Sequence, residues 1–166
     1  SPLIKKLTRH LKAQTNPIAH VVLMLQLEFA QRLSMNHPAD VGSLGLTVAL
    51  DWDVKEHHIV PPHHFSPQPA VQSQVVGMKP HGREFPVDKR LLQQMIHHAF
   101  DQRRKKIRSS MKKAPRRISR IKGWHAQRWK DAMQSLQDLG IMNARPEELI
   151  LEDWVNLAKK VEKGSK

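Results

Sequence analysis

The 166-residue sequence predicts an α/β fold, in which half of an open sheet is followed by a small all-helical domain. Within residues 1–80, short apolar or alternating segments predict four strands. Beyond them, apolar residues recur at three- and four-residue intervals, which is the period of amphipathic helices. Residues 80–86, with two prolines and a glycine, indicate a linker. We therefore expect one domain over 1–80 and a second over 81–166.

The first part should begin with a helix that Ser1 can cap. Its apolar face is expected to hold Leu3, Ile4, Leu7 and Leu11. The continuous apolar run Val21–Leu25 is typical of a strand buried on both faces of a parallel sheet. A short helix over Glu28–Leu33 should follow, and then three further strands at Leu44–Leu50, Val54–Val60 and Val71–Met78. Half a sheet leaves an unpaired edge and an uncovered face, so we expect further sheet outside this sequence.

The second part should hold three helices. Asp88 can cap the first, whose apolar stripe ends near Phe100. Cationic residues continue along the same helix until about Ala114. A second helix carries Trp129, Met133, Leu136 and Leu139 and should stop at Gly140. Pro146 opens a short turn, and a final helix carries an apolar stripe over 151–161.

Charge is distributed unevenly between the two parts. The net charge of the chain is +13, which favours a polyanionic partner. Thirteen Lys or Arg and no Asp or Glu lie between Gln102 and Lys130. Because a solvated helical face normally mixes both signs, this stretch is interpreted as a phosphate-binding surface. The alternative is a disordered basic insertion without fixed contacts.

Composition excludes several classes of protein and site. The chain has no cysteine, which rules out disulfides and thiolate metal sites and fits a reducing compartment. No apolar run of about 18 residues marks a membrane span, and no secretory signal is visible. Among the eleven histidines, the pairs that begin at His57 and His63 lack any further ligand motif, so no metal site is expected.

Phe65 begins a proline-rich motif, FSPQPAVQS, that ends at Ser73. Proline fixes its own φ and restricts the residue before it, so these residues should be held in one extended geometry. A ring held in this way is suited to present its face to a flat partner. About one helix later, a second motif, FDQRRKKIR, runs from Phe100 to Arg108.

In this order, the two motifs resemble the closing half of the rRNA adenine-N6,N6-dimethyltransferases, the KsgA-like family. Its members carry F-x-P-x-P-x-V-x-S followed by an A-F-x-x-R-R-K helix. Further segments are similar to the family's in the same order, namely Met24–Leu33, Gly42–Leu50, Val60–Pro62, Leu139–Ile141 and Arg145–Leu149. The resemblance implies that 1–80 form the C-terminal, target-base side of a Rossmann-like methyltransferase domain. It likewise implies that 81–166 form a helical rRNA-binding domain with a basic insertion around 109–128.

The family's segments for binding S-adenosylmethionine have no counterpart in this chain. They comprise a glycine-rich turn, an acidic ribose ligand and an N-[LI]-P-Y segment, whereas the seven glycines of this chain are scattered. Residues 1–7 are similar to the helix that follows N-x-P-Y. We therefore expect the cofactor half to precede Ser1 or to have been lost. The resemblance assigns no catalytic, cofactor-binding or metal-binding residue to this chain.

Phe65 takes the position at which the family packs an aromatic ring on the target adenine. The alternative is an ordinary buried anchor for the turn. The second motif and the insertion are expected to contact rRNA phosphates, with a salt bridge to Asp101 or to the sheet domain as the alternative for one or two cations. Trp124 is placed in the same RNA-gripping insertion. The expected RNA-binding residues are Arg103, Arg104, Lys105, Lys106, Arg108, Lys112, Lys113, Arg116 and Arg117.

Three functions agree with the resemblance. The first is an enzyme that dimethylates adenines of small-subunit rRNA and binds the small ribosomal subunit or its assembly intermediate. The second is an inactive relative retained as an assembly factor or ribosomal component, and the third is a mitochondrial transcription factor. The added basic segment favours mitochondria over the cytoplasm. Neither a membrane nor a homo-oligomeric partner is expected.

Several other residues are expected to be structural. Met24, Met95 and Met133 fall on apolar stripes and are interpreted as core residues. Asp51 and Asp53 alternate along a predicted strand, where they could form paired carboxylates, but exposure to solvent is favoured.

Overall fold

The computed structural model describes residues 3–4, 6–8 and 19–164. It divides into two compact units, Ser1–Arg83 and Glu84–Lys166. A sheet with helices forms the first unit, and helices with short turns form the second, as the predicted α/β class requires. No helix in the described ranges is both long and apolar enough to cross a membrane.

The first unit is built on a three-stranded antiparallel sheet in which β3 lies between β1 and β2. The strands are β1 (Val21–Gln26), β2 (Trp52–Val60) and β3 (Ser73–Pro80). Three of the four predicted strands are therefore confirmed, with small shifts at their ends. The register places Val21 opposite Met78 and Trp52 opposite Pro80.

β1 is not the doubly buried parallel strand that its apolar run predicts. It pairs antiparallel with β3, and its side chains alternate between half-buried and exposed. Val22 is 62% exposed and Met24 is 54% exposed, so the interpretation of Met24 as a core residue is wrong. The described helices pack against the opposite face of the sheet, and the alternate side chains of β1 therefore remain in solvent.

The core of the first unit lies between the sheet and its helices. Its buried members are Ile4, Ala30, Leu33, Val48, Trp52, Val76 and Met78. The Trp52 side chain is enclosed, and its indole N–H donates a hydrogen bond of 3.0 Å to Thr8 Oγ1. This bond ties the helical residues near the start of the chain to β2.

The first predicted helix is confirmed in its described part, residues 3–4 and 6–8. Ile4 is buried, and Leu7 packs against the core. Leu3 is exposed, so it does not share the buried face with Ile4. Ser1 and Leu11 lie outside the described residues.

α1 (Leu27–Ser34) confirms the helix predicted over Glu28–Leu33. It ends at Met35, which has a left-handed backbone with φ of 54°. The Met35 N–H donates to the carbonyl oxygen of Gln31 over 2.9 Å, and the chain can therefore leave the helix without an unpaired donor.

α2 (Ser43–Val48) replaces the strand predicted over Leu44–Leu50. The alternating apolar residues of this segment have the period of a strand, yet Leu46 and its apolar neighbours are buried in a helix. Gly45 marks the reason: a Cβ at this position would lie 2.8 Å from the carbonyl oxygen of Arg32. Close packing of α2 against α1 thus overrides the local strand pattern.

In the second unit, the described residues 84–164 form four helices and several 3-10 turns. The helices are α3 (Lys89–Phe100), α4 (Ile107–Ser110), α5 (Ala126–Ser135) and α6 (Leu151–Lys163). Asp88 caps α3 as predicted, since its carboxylate accepts from the backbone N–H groups of Arg90 and Leu91. The buried core of the unit includes the predicted Met95 and Met133, together with Trp129 and Trp154.

The predicted continuous cationic helix is wrong. α3 ends at Phe100, and residues 101–105 form turns. The helix does not continue because Ile107 is buried in the core. There its N–H donates a hydrogen bond of 2.9 Å to the carbonyl oxygen of Ala144. Of the cations of the second motif, Arg103–Lys106 therefore lie between α3 and α4, and Arg108 lies on α4.

The predicted stop at Gly140 is also wrong. α5 already ends at Ser135, and Gly140 instead opens a 3-10 turn, Gly140–Asn143. The turn predicted at Pro146 is confirmed as a 3-10 turn, Pro146–Glu148. The final predicted helix corresponds to α6.

Candidate nucleic-acid interface

Residues 61–69, called the proline tip, connect β2 to the segment before β3. A 3-10 turn, Pro62–His64, leads into Phe65, whose backbone is extended with φ of −117° and ψ of 149°. The Phe65 N–H donates to the carbonyl oxygen of Pro62 over 3.1 Å. Extended geometry at Phe65 is what the proline spacing predicts.

The Phe65 side chain is half-buried, so part of the residue contacts solvent while the rest is packed. The next three residues, Ser66, Pro67 and Gln68, are exposed. The role of Phe65 in stacking on adenine stays a prediction.

Two histidines precede Phe65 on the tip. His63 and His64 are exposed, and their ring centroids lie 4.5 Å apart with the planes inclined by 60°. From the sequence, the role considered for these histidines is metal binding. Among the described residues, they do not belong to any group of three or more side chains that could hold a metal ion. They add flat, polar rings beside Phe65, a feature that the doubled histidines could have signalled.

Asp51 and Asp53 do not form paired carboxylates on one strand. Asp51 lies in the turn before β2, and Asp53 lies on β2. The exposed Asp53 carboxylate accepts from the Arg83 guanidinium over 3.0 Å. Asp53 thus faces solvent, as expected, in an exposed ion pair.

Arg103 is held within the second unit by an ion pair. Its Nε lies 2.9 Å from Glu147 Oε2, and half of its side chain remains exposed. Arg103 thus forms a salt bridge, but its acid is Glu147 of the second unit, not Asp101 or an acid of the sheet domain as the alternative had it. Arg103 is consequently less free than its neighbours to meet a phosphate.

The other cations of the motif and of the insertion, at 104–122, form the cationic surface. All are exposed, and within the described part of the chain none has a carboxylate within 4.0 Å. The members of this surface are Arg104, Lys105, Lys106, Arg108, Lys112, Lys113, Arg116, Arg117, Arg120 and Lys122. Their charges remain available to a polyanion.

The insertion is folded onto the second unit, so the alternative of a disordered basic segment is wrong. Pro115, Ile118, Ile121 and Trp124 are buried and recur every three residues. A 3-10 turn, Ile118–Arg120, lies within this series, and three residues per turn is the period of that helix. Apolar anchors therefore face the core while the intervening cations face solvent.

Trp124 is not available to grip RNA, contrary to expectation. It is only 6% exposed, and its ring lies edge-on to Trp129 with centroids 6.3 Å apart. The Arg128 guanidinium carbon stands 4.4 Å from the Trp124 ring centroid, a cation–π contact. Trp124 is an anchor of the fold.

A cavity of about 610 Å³ opens between α4 and α5, within the second unit. Arg108 and Lys112 line it, as do three residues that sequence reasoning missed, Lys130, Gln134 and Gln137. These three are spaced four and three residues apart, the interval of one helical face, and this spacing was the available signal.

The described residues provide no cradle for S-adenosylmethionine. The glycines with positive φ, Gly82 and Gly123, stand alone in separate units, and no G-x-G-x-x-G turn is present. Such a turn is what lets a backbone approach a nucleotide cofactor closely. Donor binding is therefore not assigned to residues of this chain.

The family described as ribosomal RNA adenine dimethylase matches residues 1–125. The chain belongs to this family. Curated relatives include the ribosomal RNA small subunit methyltransferase A of Alcanivorax borkumensis, 35% identical over 90% of this chain and 49% of the relative. The protein of the same name from Prochlorococcus marinus is 33% identical over 95% of this chain and 53% of its own length. The chain thus spans about half the length of these relatives.

Two solved structures share the fold. A dimethyladenosine transferase from Plasmodium falciparum superposes with a TM-score of 0.76 at 22% identity, covering 98% of this chain and 62% of that one. The 23S rRNA methyltransferase ErmE gives a TM-score of 0.55 at 18% identity, covering 90% and 57%. They confirm the Rossmann-like methyltransferase fold expected from the sequence.

Proposed function

We propose that this chain provides the target-base side and the RNA-binding unit of an enzyme that dimethylates the N6 amine of adenines in small-subunit rRNA. Family membership and the relatives' names support the reaction class. S-adenosylmethionine supplies the methyl groups when bound. In this proposal it is held by residues that precede Ser1.

The observation that carries the proposal is the geometry of Phe65. Methylation of an exocyclic amine requires the adenine to leave its stack and be held flat. The backbone of Phe65 is extended and its side chain is partly exposed, so in this proposal the accessible part of the ring contacts the base. Stacking on an aromatic ring contributes about 1–3 kcal/mol per base, which is enough to hold a base but performs no chemistry.

Charge supports the choice of an RNA substrate. The cationic surface offers unpaired Lys and Arg side chains that can neutralise phosphates. Phosphate contacts position a protein and carry little sequence information, so base selection is left to the proline tip.

The test is methyl transfer by the protein that carries this chain, measured with labelled S-adenosylmethionine and unmodified small ribosomal subunits. Phe65→Ala should lower kcat/KM by about tenfold or more, since the stacking energy is lost. Phe65→Tyr should retain activity because it keeps the ring. Val71→Ala, an exposed change just after the tip, is the control. Full activity of Phe65→Ala would make Phe65 a purely structural residue.

A second candidate is an inactive rRNA-binding assembly factor. It is favoured by the unpaired cations, which serve binding to rRNA without any chemistry. The same measurements separate the two, because an inactive protein would bind small subunits without transferring methyl groups. Residence in mitochondria is proposed on the basic insertion alone, and imaging of a fluorescent fusion tests it.

A further inference from the structure

The cavity in the second unit has a lining whose chemistry is mixed. Arg108 on α4 and Lys112 just beyond it contribute positive charge, and Lys130 on α5 contributes a third cation. Two buried methionines, Met133 and Met142, provide an apolar floor. A volume of about 610 Å³ lies within the range of sites for small organic ligands.

Polar groups complete the lining. Gln134 and Gln137 bring carboxamides, which both donate and accept hydrogen bonds. Ser109 brings a hydroxyl and Asp138 a carboxylate, which accepts only. The lining can therefore satisfy a ligand with a negative group, a flat apolar face and an edge of mixed donors and acceptors.

The walls of the cavity are fixed by buried contacts. The indole N–H of Trp129, on α5, donates to the carbonyl oxygen of Met111, the residue that ends α4, over 2.8 Å. Ile107 and Ser110 are buried, so the intervening Arg108 and Ser109 are turned outward. The side chains that line the cavity thus belong to elements whose backbones are already held in place.

These features select among possible ligands. A free inorganic anion would leave the methionines and the carboxamides unused. An acidic peptide offers negative charge without a flat face that also has a polar edge. A nucleotide uses all three kinds of group: its phosphate meets the cations, which outnumber the single carboxylate of Asp138, its base lies on the methionines, and its polar edge meets the carboxamides.

We propose that this cavity receives one unstacked nucleotide of the bound RNA, separate from the adenine to be methylated. Its phosphate is held by Arg108, Lys112 and Lys130, and its base edge by Gln134 and Gln137. This inference rests on the proposed function only in that the chain binds RNA. The rest of the cationic surface is expected to contact phosphates alone. The cavity would in addition recognise the base of an unpaired nucleotide.

The probe is a short fluorescent RNA duplex with one bulged uridine, compared with its fully paired counterpart by fluorescence anisotropy. Uridine is chosen because it has no exocyclic amine and so is not methylated. Since an aromatic ring stacks on any base, the glutamine variant, and not the preference alone, assigns the bulge to the cavity. The wild-type protein should prefer the bulged duplex. Gln134→Ala combined with Gln137→Ala should remove on the order of tenfold of that preference, the effect of two neutral hydrogen bonds. Affinity for the paired duplex should be unchanged.

The matched control is Gln127→Ala, which removes an exposed glutamine of α5 that does not line the cavity. It should keep the preference for the bulge. Because Gln134 and Gln137 are exposed, the double variant should fold normally, which circular dichroism verifies. A double variant that retains the full preference overturns the inference, as does a wild type that binds both duplexes equally. A wild type that binds neither duplex overturns RNA binding and hence the proposed function.

Discussion

The proline tip and the cationic surface differ in how they present functional groups. On the tip, one side chain, Phe65, is fixed by local backbone geometry, with few neighbours to substitute for it. On the cationic surface, ten exposed cations are all expected to contact phosphates. They lie on segments whose apolar residues are buried in the core. Loss of a single group should therefore be severe on the tip and mild on the cationic surface.

The largest expected effect comes from removing the support of the cationic surface. Trp129→Ala deletes a fully buried side chain and its hydrogen bond to Met111. The free energy of unfolding of the second unit should fall by about 3–5 kcal/mol. Denaturant unfolding and hydrogen exchange measure this loss. Ile150→Ala, at an exposed apolar position of the same unit, is the control and should change little. Similar stability of the two variants would show that the anchoring does not depend on Trp129.

Graded loss of charge comes next in size. Neutralising Arg104, Lys105 and Lys106 to glutamine should weaken binding to an rRNA fragment. Each lost phosphate contact should flatten the slope of log affinity against log salt by roughly 0.7–0.9. The control is Lys55→Gln with Lys79→Gln, two exposed cations of the sheet unit. If the control lowers the slope as much as the triple variant, binding follows net charge and not the cationic surface.

The smallest effect is expected at the ion pair between Arg103 and Glu147. Glu147→Gln should lower the free energy of unfolding by less than about 1 kcal/mol, since the Arg103 side chain is 53% exposed and the Glu147 side chain 30% exposed. It should raise RNA affinity slightly at low salt, because Arg103 is released. A fall in affinity, measured by the same anisotropy titration, would mean that Glu147 orients Arg103 towards RNA. Glu152→Gln, at an exposed acid of α6, controls for the change in net charge.

Local chemistry that the sequence states directly was predicted well. The cap at Asp88 follows from a residue type whose preference is set by its own covalent structure. The extended backbone at Phe65 agrees with the expectation for the proline-rich motif, although neither neighbour of Phe65 is a proline. The apolar stripes of α3 and α6 likewise predict these helices correctly. Each stripe is long enough for the period of a helix to be distinguished from that of a strand.

Failures of prediction came where packing decided. The segment around Gly45 has the alternation of a strand, but it forms a helix that packs closely against α1, where a Cβ at Gly45 would lie 2.8 Å from the carbonyl oxygen of Arg32. The sequence predicts a helix that continues past Phe100, because no proline or glycine interrupts the cationic stretch. In the structure the helix ends at Phe100, since Ile107 is buried in the core. The cavity was missed because its lining comes from α4 and α5, which are distant in sequence.

The buried series Pro115, Ile118, Ile121 and Trp124 has an evolutionary consequence. Every third residue of this segment is buried and stabilises the fold. The Lys and Arg residues between them are exposed and supply the positive charge. Mutations that exchange, add or delete a Lys or Arg at the intervening positions leave the hydrophobic contacts intact. The strength of binding to a polyanion can thus change over evolution without loss of the fold.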